Sequence, residues 1–157
     1  MVRSLEGKHP KYFEAILQLR ETSDEVKAWV DKEIIYLNII VPRIEKAKGT
    51  KNGWDYYLAD NNQGRQIGTR LQQKFGGFYL VTSSLHTKID NKEKYRVTIL
   101  FRESPFRKGE KVMYNEEEYT VKMMTKDILL QNNKTGQKIH LKYKDMNLIK
   151  KVNDHEF

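Results

Sequence analysis

Apolar and polar residues alternate over residues 12–20, which predicts a strand with one buried face. Apolar residues then recur every three or four positions, which predicts an amphipathic helix capped within residues 22–24 and ended by Pro42. Its apolar positions are Val26, Val30, Ile34, Leu37 and Val41. Polar residues 43–53 read as a connection, and a second strand follows at residues 54–59.

A second helix is predicted after Asp60 or Asn61, which are candidate N-caps. Its apolar residues fall four apart, and the glycine pair at residues 76–77 ends it. Two further strands are predicted at residues 78–85 and 95–101. The polar residues 87–94 between them predict a β-hairpin with a basic tip.

The order strand, helix, strand, helix, strand, strand predicts an α+β fold. We expect a ferredoxin-like split βαβ sandwich, in which two helices cover one face of an antiparallel sheet. Val97, Ile99 and Phe101 are expected to face the helices. The opposite, open face of the same strand is expected to carry Arg96, Thr98, Leu100 and Arg102.

The pattern of apolar and polar residues changes after Pro105, which predicts a domain boundary near residues 103–108. Short β runs separated by turn signals follow, with spacing typical of a small closed barrel. We therefore predict a ferredoxin-like α+β domain over residues 1–104 and a small five-stranded β-barrel over residues 105–157.

Charge is concentrated in one segment of the chain. Residues 61–108 contain ten lysines and arginines against three acids, whereas the segments before and after it are nearly balanced. The net charge of +8 therefore comes almost entirely from this segment. Clustered cations favour a polyanionic partner such as RNA, because phosphates release condensed counterions on binding. The alternative is a basic face that is merely solvated.

The candidate RNA-binding residues are the basic side chains of this segment. They are Arg65, Arg70, Lys74, Lys88, Lys92, Lys94, Arg96, Arg102, Arg107 and Lys108. Gly64 and Gly68 remove bulk from one side of the second helix at a cost of roughly 1 kcal/mol each. That cost indicates close approach of another backbone, either the sheet beneath the helix or RNA. Base stacking on the open sheet face is expected to be poor, and phosphate contacts from the helix and the hairpin tip are favoured.

The side chains needed for familiar catalytic chemistry are missing or scattered. The chain has no cysteine, and its four histidines lack the paired spacing of a metal site. It has no phosphate-binding glycine loop of the P-loop type and no nucleophile elbow. We expect a protein without enzymatic activity, metal or cofactor. The start lacks an apolar signal region, so we expect a cytoplasmic location without membrane contact.

Four long phrases of the sequence resemble one protein family. They are YFEAILQLR, EIIYLNIIVPRIEKAKG, GWDYYLADNNQGRQIGTRLQQKFGG and SSLHTKIDNKEKYRVTILFRESPFRKG. They closely resemble the archaeal branch of the large-subunit ribosomal export protein family, the nonsense-mediated decay protein three family. The match is detailed over residues 12–109 and looser to about residue 150. The resemblance implies an adaptor that binds the large ribosomal subunit late in its maturation. It also implies that the five-stranded barrel over residues 105–157 is of the Src-homology type.

The sequence departs from this family in one respect. Members carry paired CxxC zinc motifs just before the strand that matches residues 12–20, and this chain has no cysteine. We interpret the chain as a fragment that begins after the zinc module, and a short natural form is the alternative. The nuclear export role of eukaryotic members is not expected here, because no leucine-rich export signal is visible.

Two hypotheses of different classes follow. The first is a non-enzymatic adaptor, monomeric in isolation, that binds the large ribosomal subunit through ribosomal RNA, with ribosomal proteins as further candidate partners. The second is a small-ligand-binding regulatory domain fused to a protein-interaction barrel. Salt-dependent RNA binding separates them, because only the first predicts it.

Overall fold

The computed structural model describes residues 12–49, 52–89 and 92–152, without the side chains of residues 85–94. Over these residues the protein is α+β, as predicted, with two five-stranded sheets. Contacts divide the chain into two compact units. The first comprises residues 1–71 and 79–102, and the second comprises residues 72–78 and 103–157. The predicted domain boundary at residue 104 stays a prediction.

The first unit is built on a mixed sheet with the strand order β2-β3-β1-β5-β4. Its strands are β1 Ala15–Arg20, β2 Arg43–Lys46, β3 Trp54–Leu58, β4 Gly77–Ile89 and β5 Lys92–Glu103. Its helices are α1 Asp24–Tyr36 and α2 Asn61–Phe75. Strand β3 is antiparallel to both β1 and β2, so β1, α1 and β2 form a split βαβ unit around β3.

Strand β2 is a correction to the sequence-based prediction, which treated residues 43–53 as a connection. All four β2 residues are exposed, and three of them are charged. An edge strand of this kind carries no alternating apolar signal, and its charges discourage pairing with another chain. The sheet therefore has five strands rather than four, and the ferredoxin-like plan is not confirmed.

The buried face of the sheet is the predicted one. Ala15, Leu17 and Leu19 of β1 are fully buried, as are Ile99 and Phe101 of β5. Both helices lie on this face: the Tyr56 hydroxyl of β3 donates to Asp31 of α1 at 2.7 Å, and Gly64 of α2 lies over Ala15, Leu58 and Ile99. The alternate residues of the strands form the opposite, open face.

Helix α1 begins as predicted but ends earlier. Ser23 is its N-cap, and the Ser23 side chain accepts a hydrogen bond from the Val26 amide. Asn38, rather than Pro42, ends the helix by adopting the left-handed conformation, with φ of 52°. The amides of Asn38 and Ile39 then bond back to the carbonyls of Ile35 and Ile34, which is the Schellman pattern.

Helix α2 begins at two buried carboxylates. Asp60 Oδ1 accepts the amides of Asn62 and Gln63, and Glu14 Oε1 accepts the amide of Asn61. These bonds satisfy amides that have no partner within the helix.

The two glycines of α2 explain how closely it approaches the sheet. A Cβ atom added at Gly64 or Gly68 would lie 2.9 or 2.7 Å from the Ile99 side chain. The sheet beneath the helix, rather than RNA, therefore accounts for both glycines.

Strands β4 and β5 are longer than predicted. They extend to Ile89 and from Lys92, into residues 87–94 that were expected to form the turn. The sequence did not predict these strand ends, because residues 87–94 are mostly polar and lack the apolar alternation that identifies a half-buried strand.

The second unit contains a sheet with the strand order β10-β6-β7-β8-β9. Its strands are β6 Lys111–Tyr114, β7 Glu117–Met124, β8 Ile128–Asn132, β9 Lys138–Leu141 and β10 Lys150–Lys151. The described part of this sheet is not closed, so the closed barrel is not confirmed. A 3-10 helix, Tyr143–Leu148, stands between β9 and β10 and contributes Tyr143 and Met146 to the core.

Candidate functional site

Three of the predicted site residues meet in one groove of the second unit. Lys74 lies in the last turn of α2, and Arg107 and Lys108 lie in the segment between β5 and β6. The groove is open and has a volume of about 430 Å³. Its lining residues are Lys74, Phe75, Arg107, Lys108, Met123, Met124 and Thr125. The fold thus brings together cations that are more than thirty positions apart in the sequence.

The segment that carries Arg107 and Lys108 is held in place by its neighbours in the chain. Phe106 is fully buried in the core of the second unit. The Gly109 amide donates to the Val121 carbonyl at 2.8 Å, and the Arg107 amide donates to Glu110 Oε1 at 2.6 Å. These anchors fix the backbone, so the two basic side chains project from a defined position.

The electrostatics of this groove favour an anion. Lys74, Arg107 and Lys108 are exposed at its surface. Two carboxylates lie near these cations: Glu103, whose Oε2 lies 3.6 Å from Arg107 Nη2 and which is only 9% exposed, and Glu110, which accepts the Arg107 amide and lies 3.1 Å from Lys151 Nζ. Three cations against two carboxylates, one of which also pairs with Lys151, leave an excess of positive charge that solvent-exposed phosphates can approach. Met123, which is 47% exposed, adds an apolar surface beside them.

The two arginines of α2 have different environments. Arg70 Nη1 lies 2.7 Å from Glu33 Oε2 of α1, and Glu33 is only 18% exposed. Arg70 therefore ties the two helices together, and its charge is largely compensated. Arg65 is exposed on the solvent side of α2. Arg65 remains a candidate for phosphate contact, whereas Arg70 has a structural role that sequence spacing did not reveal.

The predicted site at the hairpin tip falls on Lys88, Lys92 and Lys94. Their backbones belong to β4 and β5, but their side chains lie outside the described residues. Their contribution to RNA binding stays a prediction.

Arg96 and Arg102 lie on the open face of the first sheet, as predicted, because they alternate with the buried Val97, Ile99 and Phe101. Arg96 stacks on the ring of Phe13, with Cζ 3.8 Å from the ring centroid. Arg102 Nε lies 3.6 Å from Glu21 Oε2, and both side chains are exposed.

Sequence reasoning missed a second stack on this face. Arg43 of β2 lies over Tyr57 of β3, with Cζ 3.9 Å from the ring centroid. The strand pairing sets Arg43 opposite Tyr57. The sequence pattern predicts a connection over residues 43–53, and a connection does not predict that Arg43 lies beside Tyr57. The alternation of Tyr57 with the buried Tyr56 and Leu58 was the available signal.

Residues 12–102 match a protein family described as the NMD3 second domain. The chain belongs to the NMD3 family. The resemblance found in the sequence is thereby confirmed at the level of the family. A search of curated proteins finds no match. Arg65, Arg70, Lys74, Arg96 and Arg102 lie inside the matched residues, and Arg107 and Lys108 lie just beyond them. In general terms, this family is associated with the large ribosomal subunit and with ribosome biogenesis and export.

A buried tyrosine supports one wall of the groove in this NMD3-family chain. The Tyr143 hydroxyl donates to the carbonyl of Thr125 at 2.9 Å. Burial raises the pKa of Tyr143 to about 12, and the nearby negative charge of Asp127 adds to the shift. Burial also raises the pKa of Tyr56, together with its hydrogen bond to Asp31. Both phenols therefore stay neutral, and act as hydrogen-bond donors, to higher pH than an ordinary tyrosine.

The described residues form neither a metal cluster nor a membrane-spanning helix. Within residues 12–49, 52–89 and 92–152, no three histidine, aspartate or glutamate side chains come together as a metal site requires. No helix in that part of the chain is long and apolar enough to span a membrane.

Proposed function

We propose that this chain is a non-enzymatic adaptor that binds the large ribosomal subunit late in its maturation and contacts ribosomal RNA through basic side chains. The observation that carries the proposal is the convergence of Lys74, Arg107 and Lys108 in one groove of an NMD3-family chain. Ribosomal RNA is the polyanion that the large subunit presents most extensively, so clustered cations are the expected means of contact.

Further parts of the proposal concern architecture and location. We propose that the first unit is a ferredoxin-like domain enlarged by an inserted strand, and that the second unit is related to small barrels of the Src-homology type. We also propose that the chain is archaeal and acts in the cytoplasm. Ribosomal proteins are additional candidate partners, and the isolated chain is proposed to be monomeric.

The groove supports phosphate binding more directly than the full set of basic residues does. Arg70 is already paired with Glu33, so it has little charge to offer a phosphate. The three groove cations, Lys74, Arg107 and Lys108, are exposed. The described contacts pair neither lysine with a carboxylate, and Lys74 Nζ lies 5.7 Å from the centroid of the Phe75 ring. Three phosphate contacts on duplex RNA give an expected slope of log K against log salt of roughly −3.

The test is charge reversal at the groove with a matched control. The Lys74→Glu, Lys108→Glu double variant changes the charge by the same amount as Lys138→Glu with Lys142→Glu, which alters two exposed lysines elsewhere in the same unit. Both proteins are titrated with duplex fragments of large-subunit ribosomal RNA at several salt concentrations. The groove variant is expected to bind at least tenfold more weakly and to flatten the salt slope by about 2.

The outcomes separate the two classes of function. Equal losses in the two variants would mean that net charge, rather than the groove, drives binding. A larger loss in the control pair would place the contact elsewhere on the second unit. Absence of salt-dependent RNA binding in the unaltered chain would favour the alternative of a small-ligand-binding regulatory domain. Arg70→Glu is unsuitable as a test, because it would set two carboxylates against each other at Glu33.

A further inference from the structure

The open face of the first sheet carries a row of four planar side chains. Arg43 stacks on Tyr57 at 3.9 Å, and Arg96 stacks on Phe13 at 3.8 Å. The two rings meet edge to face, with centroids 4.9 Å apart and planes at 84°. Arg43, Tyr57, Phe13 and Arg96 therefore form a continuous row, which we call the stacking row.

Backbone and side-chain bonds hold the members of the stacking row in place. Arg96 Nε donates to the Phe13 carbonyl at 3.3 Å. Arg43 Nε lies 3.1 Å from Glu45 Oε1, and the Tyr57 hydroxyl donates to Glu45 Oε2 at 3.3 Å. Each guanidinium plane is thus fixed against a ring before any partner binds. A fixed planar group loses less conformational freedom on binding than a mobile one.

Charge on this face is largely balanced, which distinguishes it from the groove. Arg43 is paired with Glu45, Arg20 lies 2.8 Å from Asp55, and Arg102 lies near Glu21. A surface with little excess charge is poorly suited to phosphate attraction. What it offers instead is a set of π-faces and guanidinium planes, on which unpaired bases stack.

The dimensions of the row suit a short single-stranded segment. The stacking row crosses from β2 through β3 to β5, which is three strand spacings or about 14 Å. RNA-binding sheets of similar width stack two or three bases. The two most exposed large apolar side chains among the described residues of this unit, Ile35 and Tyr36, lie on α1, on the other side of the sheet. Leu80 of β4, which is 45% exposed, alternates with Tyr79 on the helix side and so lies on the open face, on an edge strand outside the stacking row.

We propose that the stacking row binds two or three unpaired bases of single-stranded RNA. This reverses the sequence-based expectation of poor stacking on the open face, which did not include the rings of Phe13 and Tyr57. This inference rests on the proposed function only in taking RNA as the partner. It adds a second contact that recognises unstacked bases, with weak dependence on salt, in addition to the groove that recognises phosphates.

The test uses substitutions that keep the charge and remove the planar group. The probe is a single-stranded heptauridine with 2-aminopurine at its centre, whose fluorescence is quenched when the base stacks. The Arg43→Lys, Arg96→Lys double variant is expected to bind it at least tenfold more weakly, with the salt slope unchanged. Lys138→Arg with Lys142→Arg also exchanges lysine and arginine without changing the charge, at two exposed positions outside both proposed surfaces, and is expected to leave the affinity unchanged.

The single variant Arg43→Lys controls for the possibility that the double variant does not fold. Arg43 lies on the edge strand with its side chain 49% exposed, so Arg43→Lys alone leaves the core untouched. This single variant is expected to weaken binding about threefold or more, and its Trp54 fluorescence confirms folding. Full affinity in the folded Lys variants, or no quenching by the unaltered chain, would overturn the inference.

The results also separate this inference from the proposed function. If the duplex binds through the groove and the heptauridine does not bind, only the stacking proposal fails. If neither RNA binds, both proposals fail. If a ribosomal protein rather than RNA protects the stacking row from arginine-modifying reagent in a subunit complex, the face is a protein interface and the stacking proposal is wrong.

Discussion

Gly68→Ala tests how tightly α2 is packed on the first sheet. Alanine improves helix propensity by about 1 kcal/mol, so an exposed glycine would gain stability from this change. At Gly68 the new Cβ would lie closest to the Tyr79 ring and 2.7 Å from Ile99 Cγ2, and Ile99 is fully buried and branched at Cβ. Overpacking of this kind costs about 1 to 3 kcal/mol. The expected net result is a loss of about 1 kcal/mol in the free energy of unfolding.

A double-mutant cycle isolates the contact. Ile99→Ala alone is expected to cost about 2 to 4 kcal/mol, because it leaves a cavity between sheet and helix. In that background Gly68→Ala loses the contact with Ile99 but keeps the contact with the Tyr79 ring, so it is expected to cost about 1 kcal/mol less than in the unaltered chain, which gives a coupling energy of about 1 kcal/mol. Gln66→Ala, at an exposed position of the same helix, is the control and is expected to change little.

The assay is urea denaturation followed by tryptophan fluorescence. Both tryptophans, Trp29 and Trp54, belong to the first unit, so the signal reports unfolding of that unit. Additive effects of Gly68→Ala and Ile99→Ala, or a Gly68→Ala variant more stable than the unaltered chain, would refute the packing of α2 described above.

Three further predictions concern the core, the pH dependence and the boundary. Leu17→Ala is expected to destabilise the first unit by about 2 to 4 kcal/mol without changing RNA affinity at equal folded fraction, as urea titration and RNA titration would show. Because the pKa of Tyr143 is raised in the folded state, the free energy of unfolding is expected to be unaffected below pH 10 and to fall as the pH rises toward 12, by about 1 kcal/mol at pH 11. The Tyr143→Phe variant should lose less stability than the unaltered chain between pH 8 and 11, as denaturation followed by circular dichroism would show. The first tryptic cut that separates the two sheets is expected after Arg107 or Lys108, whereas first cuts within residues 95–101 would move the boundary.

The parts of the fold that carry apolar periodicity could be predicted from the sequence. β1, β3, α2 and the faces of β5 follow from alternation and helical spacing, because burial of one face imposes that pattern. Strand β2 could not be predicted in this way, since an exposed edge strand has no buried face. The end of α1 was misplaced for a different reason: Asn38 ends the helix through its left-handed backbone, a weaker signal than the proline that follows.

The sequence predicted which basic residues could form the candidate site, but it did not predict how those residues are arranged in space. The clustering of lysines and arginines in the sequence identified the basic segment. It could not show that Arg70 forms an ion pair with Glu33, or that Lys74 lies in one groove with Arg107 and Lys108. Those relations depend on contacts between residues far apart in the chain. The stacking of Arg43 on Tyr57 depended on strand pairing in the same way, and it was missed together with β2.

Sedimentation with purified ribosomal subunits tests the central claim most directly. The chain is centrifuged through a sucrose cushion with archaeal large or small subunits at physiological salt, beside the Lys74→Glu, Lys108→Glu variant and the Lys138→Glu, Lys142→Glu control. We predict that the unaltered chain and the control pellet with large subunits only, and that the groove variant stays mainly in the supernatant. Equal pelleting with both subunits, or undiminished pelleting of the groove variant with large subunits, would contradict the account.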